Sequence, residues 1–291
     1  MTSAIAEGER YPDIWRKFTP QQTLIRYAWL LGIVFVAAWS LRNLDIPWFY
    51  FLDAHEQAGD LFSRMFPATW EEFAESPVEV LAIVFVDHYW ETAQAVWTPL
   101  IETIHIATLG TIVTFGIALP TAFLAARNTT PNAVTWFIGR FILVASRSIN
   151  TVVWALIFVA IFGPGPVAGI WAITFRSIGF MGKLIAEAIE EIDSGAVEAI
   201  EATGASRLQV LLIDVLPQVL PVIYGTTVYR WDINIRESTV LGFVGAGGIG
   251  IQLYASINLF NWDEVAVMLV AIFAVVVFSE WVSATVRQKI T

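Results

Sequence analysis

Residues 193–217 read DSGAVEAIEATGASRLQVLLIDVLP, a polar and charged element set between two long apolar runs. Leading into it, Ile185, Ile189, Ile192, Ala196 and Ala199/Ile200 recur at helical spacing, while Glu187, Glu190, Glu191, Glu198 and Glu201 lie largely off that stripe. The pattern predicts one amphipathic helix leaving the apolar run. Gly204 then supplies a left-handed stop. Ser206 with Gln209 fits a capping box, so a new helix begins at once and runs through Leu208 to Val215 toward Pro217 and Pro221. The predicted result is a short helix, a sharp turn and a second helix held outside the apolar bulk. An ordinary helix connection would share this spacing.

The surrounding chain sets the environment. It has 291 residues, of which 57% are hydrophobic and only 14% charged, and its mean hydropathy is +0.66. That is far too apolar for an ordinary soluble domain. Apolar stretches near 24–41, 97–126, 133–162, 166–189, 212–235 and 264–286 each approach or exceed the roughly 20 residues that a spanning helix needs. The reading is an all-α polytopic membrane protein with about six spans. Its partner is a bilayer and not nucleic acid. The first stretch lacks a small-residue cleavage signal and reads as an uncleaved anchor. With no cysteine in the chain, disulfides, thiolate metal sites and cysteine nucleophiles are excluded. His55, His88 and His105 lack metal-ligand spacing.

Basic residues give the orientation, because short cytoplasmic loops retain Lys and Arg. An inside N-terminus places Arg10, Arg16, Lys17, Arg26, Arg127, Lys183, Arg207, Arg287 and Lys289 on the cytoplasmic side and Arg42, Arg64 and Arg236 outside. Both termini are therefore expected in the cytoplasm. The acidic excess collects between the first two spans, at Asp45, Asp53, Glu56, Asp60, Glu71, Glu72, Glu75, Glu79, Asp87 and Glu91. This segment reads either as a partner surface or as a solvated interfacial loop with its aromatics at the headgroups. It is too long for a simple connection. The chain thus divides near residue 95, into an anchor with its extracytoplasmic segment (1–95) and a five-span unit (96–291).

Charge inside the spans is costly and should face protein or water. Arg147 and Arg176 are expected deepest, with Asn150 close enough to Arg147 to line a polar path. Arg140 lies nearer the cytoplasmic end and reads as a snorkelling side chain. Arg230, Asn234 and Glu237 repeat at helical spacing, and Asp232 precedes Arg236 in the favourable acid-before-base relation. Two readings follow. These cations guide an anion, or they are ion-pair partners holding helices together. Gly245, Gly247 and Gly250, with Gly248 among them, imitate a dinucleotide fingerprint, but the run follows a membrane helix in a chain with no strand pattern. They instead predict a re-entrant turn before the last span, serving as a gate or as close packing.

Glu198-Ala199-Ile200-x-x-x-Gly204, followed by Leu216-Pro217, resembles the EAA loop of ABC importer permeases. Ile200 and Asp214 depart from the usual alanine and aliphatic residue. More of the chain resembles the permease of phosphonate ABC importers: Arg147–Phe158, Glu201–Ser206, Val215–Gln218, Tyr229–Ser238 and Val244–Gly250, within about residues 98–288. The resemblance implies a type I permease fold in a bacterial cytoplasmic membrane, with a coupling loop near 193–217. It implies transport of phosphonates or related phosphorus oxyanions, alongside two cytoplasmic ATPases carrying Mg-ATP, a second permease copy or paralogue, and an extracytoplasmic binding protein. Glu198, Ala199, Gly204, Ala205 and Arg207 would then touch the ATPase.

Two other classes compete. A membrane enzyme should display a clustered acid/base pair or an activated nucleophile. A secondary transporter or channel would use breaks at Pro120 and Pro217 equally well, and would lack a docked ATPase. No phosphate-binding Gly-x-x-x-x-Gly-Lys-Ser/Thr sequence occurs, so no cofactor is expected on this chain and energy must come from a partner.

Overall fold

The computed structural model describes residues 20–44, 49–65 and 90–290, and all regular structure among them is helical. The chain forms two compact units, Met1–Gly59 and Asp60–Thr291. In the first, α1 (Pro20–Asn43) exposes Leu24, Trp29, Phe35 and Trp39 on every side, as a helix solvated by lipid does. Helix α2 (Phe49–Met65) begins in this unit and ends in the second. Asp53, Glu56 and Asp60 are exposed on it, and Asp60 pairs with Arg64 at 2.8 Å. Asp45, Glu71, Glu72, Glu75, Glu79 and Asp87, the rest of the acidic segment, lie outside the described residues, and Glu91 has no described side chain.

In the second unit α3 (Trp90–Ala125), α4 (Ala133–Ser148), α5 (Thr151–Phe162), α6 (Pro166–Glu190), α7 (Ser194–Glu201), α8 (Arg207–Val210), α9 (Leu216–Leu241), α10 (Ile249–Asn258) and α11 (Trp262–Ile290) follow in order. Leu211–Val215 forms a π turn joining α8 to α9. Helix α6 is the centre: α3, α4, α5 and α9 all pack on it.

Small residues make that possible. Ala168, Gly169, Ala172, Ser177, Gly179 and Gly182 are buried along α6. A Cβ at Gly179 would fall 2.4 Å from the Leu143 carbonyl oxygen, so the α4 and α6 backbones touch. Helices in lipid gain little from mutual apolar contact, so backbone proximity and interhelical hydrogen bonds hold them. Here the Gly179 N–H donates to Ser146 Oγ at 2.9 Å, and the Ser146 hydroxyl donates to the Phe175 carbonyl. Gly179→Val must drive the two helices apart. Loss of a monodisperse, cooperatively melting species on size-exclusion and thermal assays is the expected result.

Among the described residues, three helical runs besides α1 are long and apolar enough to cross a membrane: Ala95–Ala125, Arg207–Val244 and Trp262–Lys289. The pair α4 and α5 adds another when counted as one span. The 25-residue α6 is also long enough, at about 37 Å, but Arg176 and Lys183 dilute its apolar run. A buried helix does not need to be lipophilic all round.

The stretch 133–162 is therefore not the single straight span that its hydropathy predicts. It is two helices meeting at 93°. Ile149 is extended (φ −102°, ψ 137°), ending α4, and the Asn150 side chain caps α5 by accepting from the Val152 N–H at 3.0 Å. The amphipathic run through residues 185–200 is likewise broken. Helix α6 stops at Glu190, and Asp193 starts a separate α7 by accepting from the Gly195 N–H at 2.9 Å.

Candidate functional site

The first candidate is the element 193–217. Its second helix starts as predicted: Ser206 Oγ accepts from the Gln209 N–H, and Gln209 Oε1 accepts from the Ser206 N–H at 2.8 Å, completing the capping box. Gly204 has φ +82° and nothing among the described residues within 4 Å of where a Cβ would sit, so it makes the turn at the surface of the described structure. Val197, Ile200 and Ala205 pack inward against the core around Ile189 and Val215. Glu198, Ala199, Gly204 and Arg207 are exposed. Ala199 thus faces outward, not along the buried stripe, because the break at residues 191–193 resets the helix phase.

This knob is tied to the long helices on both sides. The Asp193 N–H donates to Gln218 Oε1 at 3.1 Å, and Gln218 Nε2 donates to Asp214 Oδ1 at 3.0 Å. One side chain of α9's first turn therefore bridges the N-cap of α7 and the π turn. Asp214, at the position where the family resemblance expects an aliphatic residue, is buried, and its Oδ2 has no hydrogen-bond partner among the described residues. At the same end Asn128 Nδ2 donates to the Ile189 carbonyl at 2.5 Å. Arg140 pairs with Glu190 at 2.8 Å while lying over the Trp136 ring at 5.4 Å. Arg140 thus joins α4 to α6 through a carboxylate at this end of the bundle.

The second candidate is the polar interior between α3, α5, α6 and α9. Arg230 is 4% exposed; its Nε donates to Ser177 Oγ at 2.8 Å and its Nη2 to both Glu237 oxygens at 3.1 and 3.2 Å. Thr151 Oγ1 donates to Glu237 Oε2 at 2.7 Å, which brings α5 into the network. Ser177 Oγ donates to Asn234 Oδ1 at 3.1 Å, and Asn234 Nδ2 donates to Thr111 Oγ1 at 2.8 Å, which brings in α3. Ser177 is the hub, and sequence reasoning missed it. A lone serine in an apolar run carries no signal until its partners on α9 are placed beside it.

A second pair lies on another face of the same stretch of α9, turned toward α11. Asp232, 2% exposed, binds Arg236 and accepts from the Ser279 hydroxyl of α11 at 2.7 Å. Arg230 and Asn234 therefore lie in the packed interior as joints between helices. Asn150 and Arg176, with Thr151, Arg236 and Glu237, line a cleft of about 370 Å³. Arg147 is exposed at the end of α4, and its carbonyl accepts a hydrogen bond from Arg176.

The third candidate, the glycine run, forms a buried turn. Gly245, Gly247 and Gly248 have φ of +83°, +87° and +75°, in the left-handed region that suits glycine. A Cβ at Gly250 would meet the Thr239 carbonyl oxygen at 2.2 Å. The Gly248 N–H donates to Glu102 Oε1 at 3.1 Å, the Ile249 N–H to Thr103 Oγ1 at 2.8 Å, and the Gly165 N–H to the Gly245 carbonyl at 2.9 Å. The turn clamps α3 and the α5–α6 connection together. The short α10 that follows it was not anticipated.

The described residues thus form a bundle of membrane-length helices with a carboxylate–guanidinium interior and a capped knob at one end. The chain belongs to the family of binding-protein-dependent transport system inner membrane components, whose model matches residues 118–290. It is 43% identical over 190 residues to a phosphite transport system permease of Stutzerimonas stutzeri, covering 65% of this chain and 69% of that one. It is 37% identical over 194 residues to a phosphate-import permease of Mycolicibacterium smegmatis, covering 67% of this chain and 36% of that one. Its fold is similar to a chain of the MetNI methionine ABC transporter in an inward-facing form, with TM-score 0.60 and 24% identity over 67% of this chain and 96% of that one. The expected type I permease fold and permease role both stand.

Proposed function

We propose that this chain forms the path for phosphorus oxyanions, such as phosphite, phosphate and phosphonates, in an ATP-driven importer of a bacterial cytoplasmic membrane. It works with a pair of cytoplasmic ATPases holding Mg-ATP, a second permease copy or paralogue, and an extracytoplasmic protein that delivers the cargo. The chain itself catalyses no reaction. The observation that carries this reading is the knob: α7 and α8 are capped at both starts, expose Glu198, Ala199, Gly204 and Arg207, and are fastened to α9 through Gln218. A rigid element of this kind passes a push from a closing partner into two long helices at once. The names of the relatives support the cargo class.

The test is uptake by proteoliposomes containing the complex copurified on this chain, supplied with ATP and binding protein loaded with phosphite, phosphate or methylphosphonate. Cargo-stimulated hydrolysis with uptake is the expected result. Uptake without an associated ATPase would transfer the chain to the secondary transporters.

A further inference from the structure

We infer that the cleft between α5, α6 and α9 is a weak cargo subsite in which Arg176 is the cation that touches the phosphorus oxyanion; this rests on the cargo reading proposed above. The argument is one of charge balance. Three guanidinium groups stand at or behind the cleft. Arg230 is neutralised by Glu237 at 3.1 Å and turned inward to Ser177. Arg236 is bound to the buried Asp232 and lies 3.9 Å from Glu280. Arg176 has no carboxylate within ion-pair distance among the described residues, and its one hydrogen bond runs to the Arg147 carbonyl. A guanidinium carries five N–H donors in a fork that fits an oxyanion, so most of its donor capacity is unspent.

Arg176 sits ten residues into α6, about 15 Å from its start. An uncompensated charge at such depth is expensive and marks a pathway more often than a joint. The cleft, at about 370 Å³, holds a small tetrahedral anion with several waters at roughly 30 Å³ each. Glu237 supplies the other half of the device. Part-exposed at the cleft wall beside Arg176, its carboxylate oxygens repel any anion that lingers, so the subsite passes cargo on without storing it.

The experiment uses the complete importer in proteoliposomes. Arg176→Gln is expected to cut uptake of phosphite, phosphate and methylphosphonate at least tenfold, while hydrolysis stimulated by loaded binding protein stays within about twofold of wild type. Arg176→Lys, keeping the charge, should retain at least half of uptake. Arg176→Met replaces the glutamine variant if that one does not assemble. Wild-type uptake by the uncharged variant, or equal loss in the lysine and uncharged variants, would overturn the assignment. Failure of the wild-type complex to take up any of the three anions would instead overturn the cargo reading beneath it. A lipid headgroup shares the cargo's chemistry. Vesicles of phosphatidylcholine alone and vesicles containing phosphatidylglycerol separate the two: a defect present in both belongs to cargo, and one confined to phosphatidylglycerol vesicles would refute the subsite.

Discussion

Gly204→Trp is expected to abolish coupled uptake while leaving a folded chain in the membrane. Nothing among the described residues lies within 4 Å of a Cβ built at Gly204, so the indole starts from open surface and not from a packed core. The internal cost is the left-handed backbone, φ +82°, which penalises a non-glycine residue by about 1–2 kcal/mol. A bundle of this size survives such a loss. What does not survive is a partner surface that needs close approach to Ala199 and the turn. Uptake should fall by more than tenfold, with ATP hydrolysis by the copurified complex no longer responding to loaded binding protein. Gly204→Asn is the control, since asparagine tolerates the left-handed region and is small; it should retain most coupling. Normal transport by the tryptophan variant would remove the knob from the coupling path.

The second large effect concerns the buried pair. Arg230→Met leaves Glu237 without its cation and Ser177 without its donor. Stranding one member of a buried ion pair costs about 3–5 kcal/mol, so the single variant should melt well below wild type in detergent. Arg230→Met combined with Glu237→Leu removes both charges and should recover most of that loss, because a desolvated pair is often worth little more than its apolar replacement. Recovery of the melting temperature by the double variant would identify the pair as a joint between α5, α6 and α9. A single variant as stable as wild type would show that Arg230 is not held as described.

Helix-forming and membrane-spanning character was legible from apolar run lengths alone, because a bilayer selects for length and little else. The break at residue 149 was invisible to that criterion. Ser148, Ile149 and Asn150 hardly dent the hydropathy of 133–162, although Asn150 two residues before Val152 is the kind of cap that ends one helix and begins another. The same lesson holds at Asp193, whose capping role went unread because the isoleucine stripe happened to continue across the gap. Spacing along one helix did announce Arg230 with Glu237 and Asp232 with Arg236. It could not announce Ser177, Thr151 or Ser279, which join those residues from α6, α5 and α11. Nor could it separate Arg176 from Arg230, since the difference lies in which carboxylates stand nearby in space.

The π turn at Leu211–Val215 has a meaning for inheritance. Such a turn is an α-helix that has taken in a single extra residue and stored it locally. In an uninterrupted α-helix each added residue would rotate all that follows by about 100°, swinging Arg230 away from Ser177 and Asp232 away from Ser279. Stored as a bulge, the addition leaves that angular phase intact. The capped knob at one end and the polar interior along α9 can therefore change length relative to one another by one position without either losing its alignment to the rest of the bundle.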